Sequence, residues 1–201
     1  MKKIIFALAC VGLLNNSAIA QKGDKEFAKY GVSLAVSPFG GSLNFGYNKN
    51  EKTSINVALG GLPESKSFIT PSIDGMGDIE LRGESAWMGV FLNHRPFENI
   101  NWFRVNVGLG IGAINNTITD EAGSSDEIYN VDYNSSPVGY FGVGVGQRTY
   151  KGLTFGFDLG ALYTSGPDIS GPDAEKVKAI RDNSFFSSVL PNVQLSIGYN
   201  F

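Results

Sequence analysis

The chain has a single cysteine in 201 residues, Cys10, and a single histidine, His94. Lys and Arg number 16 against 19 Asp and Glu, so basic charge is also short. Past the first 20 positions no apolar run approaches the roughly 18 residues of a membrane-spanning helix. Each scarcity removes a class. The opening residues read as a secretory signal, with Lys2 and Lys3, an apolar run from Ile4 to Leu14 and the small-residue ending Ala18-Ile19-Ala20. Cleavage after Ala20 leaves 181 residues, with 14 basic against 19 acidic, a net charge of −5 and no thiol. That excludes a disulfide framework, a cysteine zinc site and a thiol nucleophile. The acidic balance argues against a nucleic-acid partner. Leu8-Ala9-Cys10 has the look of a lipoprotein site, but a cut there leaves an apolar segment shorter than the ~7 to 15 residues such signals need.

What remains is rich in alternation and in glycine. Residues 21–201 are expected to form one domain, with period-two patterning in strand after strand. Tyr30, Val32, Leu34 and Val36 alternate with Gly31, Ser33, Ala35 and Ser37. After Pro38-Phe39-Gly40-Gly41, Leu43, Phe45 and Tyr47 alternate with Ser42, Asn44 and Gly46. Ile55, Val57 and Leu59 mark a third strand, followed by a polar stretch from Pro63 to Asp78. A fifth sets Phe103, Val105, Val107, Leu109, Ile111 and Ala113 against Arg104, Asn106, Gly108, Gly110 and Gly112. A sixth sets Phe141, Val143 and Val145 against Tyr140, Gly142, Gly144, Gly146 and Arg148. Leu153 to Tyr163 and Val189 to Phe201 complete eight strands. In the fourth, Ile79 to His94, Glu80, Arg82 and Glu84 share parity with Met88, Val90 and Leu92. Either a bulge near Ser85 shifts the register, or the charged half stands above a membrane; the second is the expected arrangement. Longer connections are expected after strands three, five (Asn115 to Ser135) and seven, the last holding a helical segment over Asp173 to Asn183.

A soluble sandwich or lipocalin-like barrel also alternates. Here, however, the polar face is Gly, Ser, Asn and Thr rather than the Lys and Glu of a wetted sheet. The apolar face also carries aromatics at strand ends: Tyr47, Trp102, Tyr163, Tyr199 and Phe201. The fold class expected is therefore all-β, an eight-stranded antiparallel up-and-down transmembrane β-barrel with a short helix in its last extracellular loop. The final segment Val193-Gln194-Leu195-Ser196-Ile197-Gly198-Tyr199-Asn200-Phe201 resembles the C-terminal insertion signal of Gram-negative outer-membrane proteins. Arg95-Pro96-Phe97, Phe103 to Gly110, Gly139 to Gly146 and Phe157 to Tyr163 resemble a family of small, poorly characterised proteobacterial proteins with the OmpA/OmpX architecture. The resemblance implies an outer-membrane location, with Tyr199 and Phe201 read by the barrel-assembly machinery.

Eight strands leave an interior that side chains just fill. Inward Arg104, Arg148 and Asp158, with Asn44, Asn56, Asn106 and Gln194, are expected to form a packed polar network, because a lone charge there is costly. A narrow conduction path lined by the same groups is the alternative. His94 adjoins a predicted periplasmic turn and lacks the His-x-Ser spacing of lipid A deacylases, so it reads as an interfacial ring and no enzymatic role is expected. Asp120, Glu121, Asp126 and Glu127 lack calcium-loop spacing and read as a solvated loop, with bridging to lipopolysaccharide by divalent ions left open. The expected protein is a monomer in contact with outer-membrane lipid and lipopolysaccharide, with no cofactor and no metal. Its role is structural, adhesive or protective, acting through surface loops. An OmpW-like route for small hydrophobic molecules is the runner-up, which inward polar parity disfavours, and a lipid A enzyme is third.

Overall fold

A computed structural model describes residues 26–67, 69–120, 127–134, 137–146 and 148–201; the signal segment lies outside them. The strands are β1 (Tyr30–Ser37), β2 (Gly40–Asn48), β3 (Thr53–Lys66), β4 (Ile79–His94), β5 (Phe103–Asp120), β6 (Glu127–Tyr133), β7 (Pro137–Gly146), β8 (Gly152–Tyr163), β9 (Asp168–Ser170) and β10 (Val189–Asn200). One helix, α1 (Ala174–Asp182), and a single 3-10 turn (Ser184–Phe186) precede β10. Eight strands close a ring in the order β1-β2-β3-β4-β5-β7-β8-β10, every pairing antiparallel. The seam runs from Gly31↔Asn200 to Val36↔Leu195. Beyond it Tyr30 N donates to Phe201 O at 3.1 Å, and Phe201 N to Tyr30 O at 2.9 Å. Closure leaves no ring strand with an unpaired edge.

Alternation then assigns the faces. Leu34, Phe45, Val57, Val90, Leu109, Phe141, Leu159 and Leu195, one from each ring strand, all point outward and are exposed. A continuous apolar belt of this kind is far larger than a water-soluble monomer tolerates and fits a bilayer's hydrocarbon. At the end that holds Glu26 and Phe201, Tyr30, Phe45, Tyr47 and Phe201 cluster on the outer surface, with ring centroids 5.8 to 6.3 Å from Tyr30. Such a girdle marks where hydrocarbon meets headgroups.

Two expectations about segments are corrected. The stretch from Asn115, expected to be a loop, continues β5 to Asp120 and returns as β6; with β9 this sets two further strands beside the expected eight of the ring. The polar stretch from Pro63 begins inside β3, which runs on to Lys66. Pro63 and Glu64 form a bulge there, between Leu62↔Ser85 and Ser65↔Gly83. Proline has no N–H for the ladder, and a bulge accommodates it. Thus the bulge weighed as the alternative near Ser85 exists but lies in the neighbouring strand. Against β5, β4 pairs without a break from Ile79↔Asp120 to His94↔Val105.

Since β3, β4 and β5 have 14, 16 and 18 residues while β1 has 8, the wall is tall on one side. On this wall stands a crown with its own hydrophobic core: Ile73, Leu81, Ile118, Tyr129, Val131, Tyr133, Ile180, Phe186 and Leu190. The helix lies over it with Ile180 buried. Its first turn is capped by Asp173, whose Oδ1 accepts from Glu175 N at 2.7 Å and Lys176 N at 3.3 Å. Strand β9 extends the sheet through Val131↔Ile169.

Candidate functional site

The inward side chains of the ring are small at most positions, and the structure uses that space deliberately. Gly144 of β7 is in register with Arg104 of β5 on one side and Asp158 of β8 on the other. A Cβ at Gly144 would run into the Asp158 carboxylate and lie 3.0 Å from Arg104 Nε. Only glycine therefore lets the two side chains meet across the intervening strand. Arg104 Nε donates to Asp158 Oδ1 at 3.1 Å and Nη2 to Oδ2 at 2.5 Å. Asn106 Nδ2 adds a bond to Asp158 Oδ1 at 2.6 Å. The ion pair is about 2% exposed on each side, and its bidentate geometry is the strong form of such a contact.

Of the residues expected in the interior network, then, Arg104, Asn106 and Asp158 come together. Gln194 is in register with Asp158 on β10. Asn44 instead donates to Ser33 O and Ser42 Oγ, both at 3.4 Å. Arg148 stands apart from that ion pair and lines a second interior pocket with Asn56 and Arg95, which corrects its expected partners. The alternation that aligned it with Gly146 ends at Gly146, where φ is +83° and the chain leaves the ladder. Arg148 lies in the turn beyond, where Asn200 Nδ2 donates to its backbone O at 2.5 Å. With Arg95 it lines a cavity of about 230 Å³ at the end that holds Glu26 and Phe201. Arg95 itself is buried and reaches Ser54 Oγ at 3.3 Å.

Sequence reasoning did not single out three interior aromatics. Trp87, Phe91 and Tyr140 point inward, and each ring lies over strand backbone that glycine leaves bare. A Cβ on Gly60 would overlap the Trp87 ring, and one on Gly160 would stand 2.5 Å from Tyr140 Oη; on Gly108 it would overlap Phe91. Phe91 and Tyr140 meet edge to face at 5.6 Å. Trp87 Nε1 donates to Phe39 O at 3.0 Å and Ser85 Oγ to the same carbonyl at 2.8 Å, which ties the β1–β2 turn over the barrel mouth. These rings and the ion pair line a chamber of about 120 Å³. Inward polar parity disfavours an apolar cavity, yet this interior has an aromatic wall. The signal lay in β4, where Trp87 and Phe91 have the parity opposite to Met88, Val90 and Leu92.

His94 faces outward, its Nδ1 3.2 Å from Thr53 Oγ1. Tyr199 and Phe201 are also on the outer face, about half exposed. The acidic segment is only partly described, because Glu121 and Asp126 lie outside the described residues. Its other two members, Asp120 and Glu127, expected in a solvated loop, are joined through the helix. Lys176 Nζ of α1 lies 2.8 Å from both Asp120 Oδ2 and Glu127 Oε2. Tyr129 Oη donates to Glu127 Oε2 at 2.6 Å. Hydrogen bonds from Lys176, then Tyr129, hold the Glu127 carboxyl below its ordinary 4.5, and the two carboxylates raise Lys176. Burial, with the Glu127 contact, pushes the Tyr129 phenol up to about 12. Among the described residues no group of three His, Cys, Asp or Glu side chains could hold a metal ion.

With this geometry in hand, solved structures provide the comparison. The chain superposes on CarO of Acinetobacter baumannii with a TM-score of 0.62 at 16% identity, covering 87% of this chain and 98% of that one. CarO2 of the same organism gives 0.63 at 12%, covering 88% and 100%. The fold is that of a small outer-membrane β-barrel. A major outer membrane protein from Thermus thermophilus matches with a TM-score of 0.52 at 14% identity, over 87% of this chain and 99% of that one. No family model and no curated protein matches the sequence.

Proposed function

We propose that the protein is a monomeric integral outer-membrane barrel in which the ring is an anchor and seal, while the crown is the working surface, serving adhesion or surface protection. The observation that carries this reading is the crown's own hydrophobic core. Surface connections of small barrels need only join strands. A segment that buries Ile118, Tyr129, Val131 and Ile180 completely keeps a fixed shape, which is what recognition of a partner requires. In this reading the end with Glu26, Phe201 and the short turns faces the periplasm, and the crown faces outward. Tyr199 and Phe201 serve the barrel-assembly machinery. Lipid packs on the apolar belt, and lipopolysaccharide borders the polar outer wall where Lys66 and Arg82 pair with Glu80 at 2.7 Å.

Within the ring, Arg104, Asp158 and Asn106 fill the lumen, so no steady current is expected across a planar bilayer. His94 has no place in a catalytic constellation here, and the protein is read as a non-enzyme. The test compares bacteria displaying the full chain with bacteria displaying a form whose residues 167–186 are replaced by a short Gly/Ser turn. Both forms are expected at equal surface levels with the mobility of folded barrels. Attachment to epithelial cells or survival in serum is expected only with the crown. Equal attachment and survival for the two forms would overturn the reading.

A further inference from the structure

The chamber above the Arg104–Asp158 pair has a use that the anchor role does not need. Its wall is aromatic, from Trp87, Phe91 and Tyr140, yet Arg104, Asn106 and Asn192 also line it, and each keeps one buried polar atom with no partner among the described residues: Nη1, Oδ1 and Oδ1. These three residues are 2%, 5% and 6% exposed. Buried polar atoms in native proteins are ordinarily paired, so a floor with one free guanidinium donor and two free amide acceptors is built for something. The amide of Asn106 cannot turn over to resolve this, because its Nδ2 is committed to Asp158 Oδ1 at 2.6 Å. Arg104 cannot swing away either, being held through Nε and Nη2.

We propose that the chamber is a binding site for one small monocyclic aromatic alcohol, of phenol size. The size follows from the volume: about 120 Å³ is on the scale of the roughly 150 Å³ apolar cavity that takes up benzene. The head group follows from the floor. A hydroxyl accepts from Arg104 Nη1 and donates to Asn106 Oδ1 or Asn192 Oδ1, satisfying both kinds of orphan with one atom. The ring follows from the wall, where it meets the Phe91–Tyr140 pair and the face of Trp87. A carboxylate suits the floor less well, because Asp158 already neutralises Arg104 and the amide oxygens repel a second anion. The site is independent of the crown's role and of any conduction.

The test uses the full barrel in lipid nanodiscs with Trp102→Phe. Trp102 is the only other indole and is exposed on the outer surface, so Trp87 emission then reports the chamber. Phenol is expected to change that emission saturably, with half-saturation at a free aqueous concentration roughly tenfold below that of toluene, the worth of the added hydrogen bonding. In Asn106→Leu that preference is expected to fall several-fold while the barrel keeps its folded mobility. A linear response to both compounds, as partition into lipid gives, would show a chamber that takes neither, and equal half-saturation for the two would show a floor that does not read the hydroxyl; either overturns the proposal. Should Asn106→Leu fail to fold, the phenol and toluene comparison in the unaltered floor decides. Crown-dependent attachment is read in a separate assay, so failure of one reading does not touch the other.

Discussion

Strands β4 and β5 pass through two solvents, and their two halves obey opposite rules. In the lower half of β5, Val107, Leu109 and Ile111 face out while Arg104 and Asn106 face in; in the upper half, Asn115, Thr117 and Thr119 face out and Ile118 is buried inside. On β4, Met88, Val90 and Leu92 are outward below, whereas Arg82 and Glu84 are outward above, with Leu81 buried opposite them. The pairing between these strands does not slip anywhere along its length. The alternation is therefore one continuous pattern, and what reverses is the medium outside. Lipid selects apolar residues outside and leaves the lumen for polar groups. Water selects the reverse, and an ordinary hydrophobic core forms above the membrane.

This contrast can be broken at either end. Asp158→Ala leaves Arg104 buried without its partner and is expected to cost about 3–5 kcal/mol, read by urea unfolding of the barrel in vesicles. Replacing both, Arg104→Met with Asp158→Leu, is expected to recover most of that loss. In the crown the vulnerable group is apolar: Ile118→Ala is expected to cost about 2–5 kcal/mol of local stability. It should appear as faster amide exchange in β6 and α1 while β7 and β8 stay protected. Outside, the two halves of one face should answer differently to one substitution. Leu109→Arg is expected to cost about 2–4 kcal/mol near the midplane, against about 0–1 for Thr117→Arg, measured by the same unfolding experiment.

The smallest expected effect is the pH response of the Lys176 latch. Glu127 is held below 4.5, so its contribution is present above 4.5 and lost as pH falls through the lowered value. Lys176 is raised above 10.5, so its contribution is present below 10.5 and lost as pH rises through the raised value. A fluorophore on Lys178→Cys is expected to stay immobile between those limits and to gain mobility in acid. Lys176→Met should remove that dependence.

The barrel was legible because each ring strand states its two faces in a run of alternating residues. The ends of strands were less so. Residues 115–120 lose the apolar outward side chains that marked β5, since water replaces lipid there, and so they read as loop. The ion pair was legible as charges of inward parity, but not its partners. Arg148 keeps the parity of Gly146, and nothing local reveals that a positive φ at that glycine ends the strand. The chamber was hidden for a different reason. Inward glycines announce close packing without saying which side chain uses the space: Gly108 makes room for Phe91 of the neighbouring strand, whereas Gly142 makes room for Tyr140 of its own.

The reversal itself is measurable directly. Cys10 is the only native cysteine, so in a Cys10→Ser background single cysteines at positions 107, 109, 111, 113, 115, 117 and 119 can each carry an environment-sensitive label. Quenchers on lipid tails and in water then report what each outward position of β5 touches. Lipid contact is expected through 111 and water contact from 115 onward, with the exchange at 113. Lipid contact continuing to 119, or water at 109, would contradict the account.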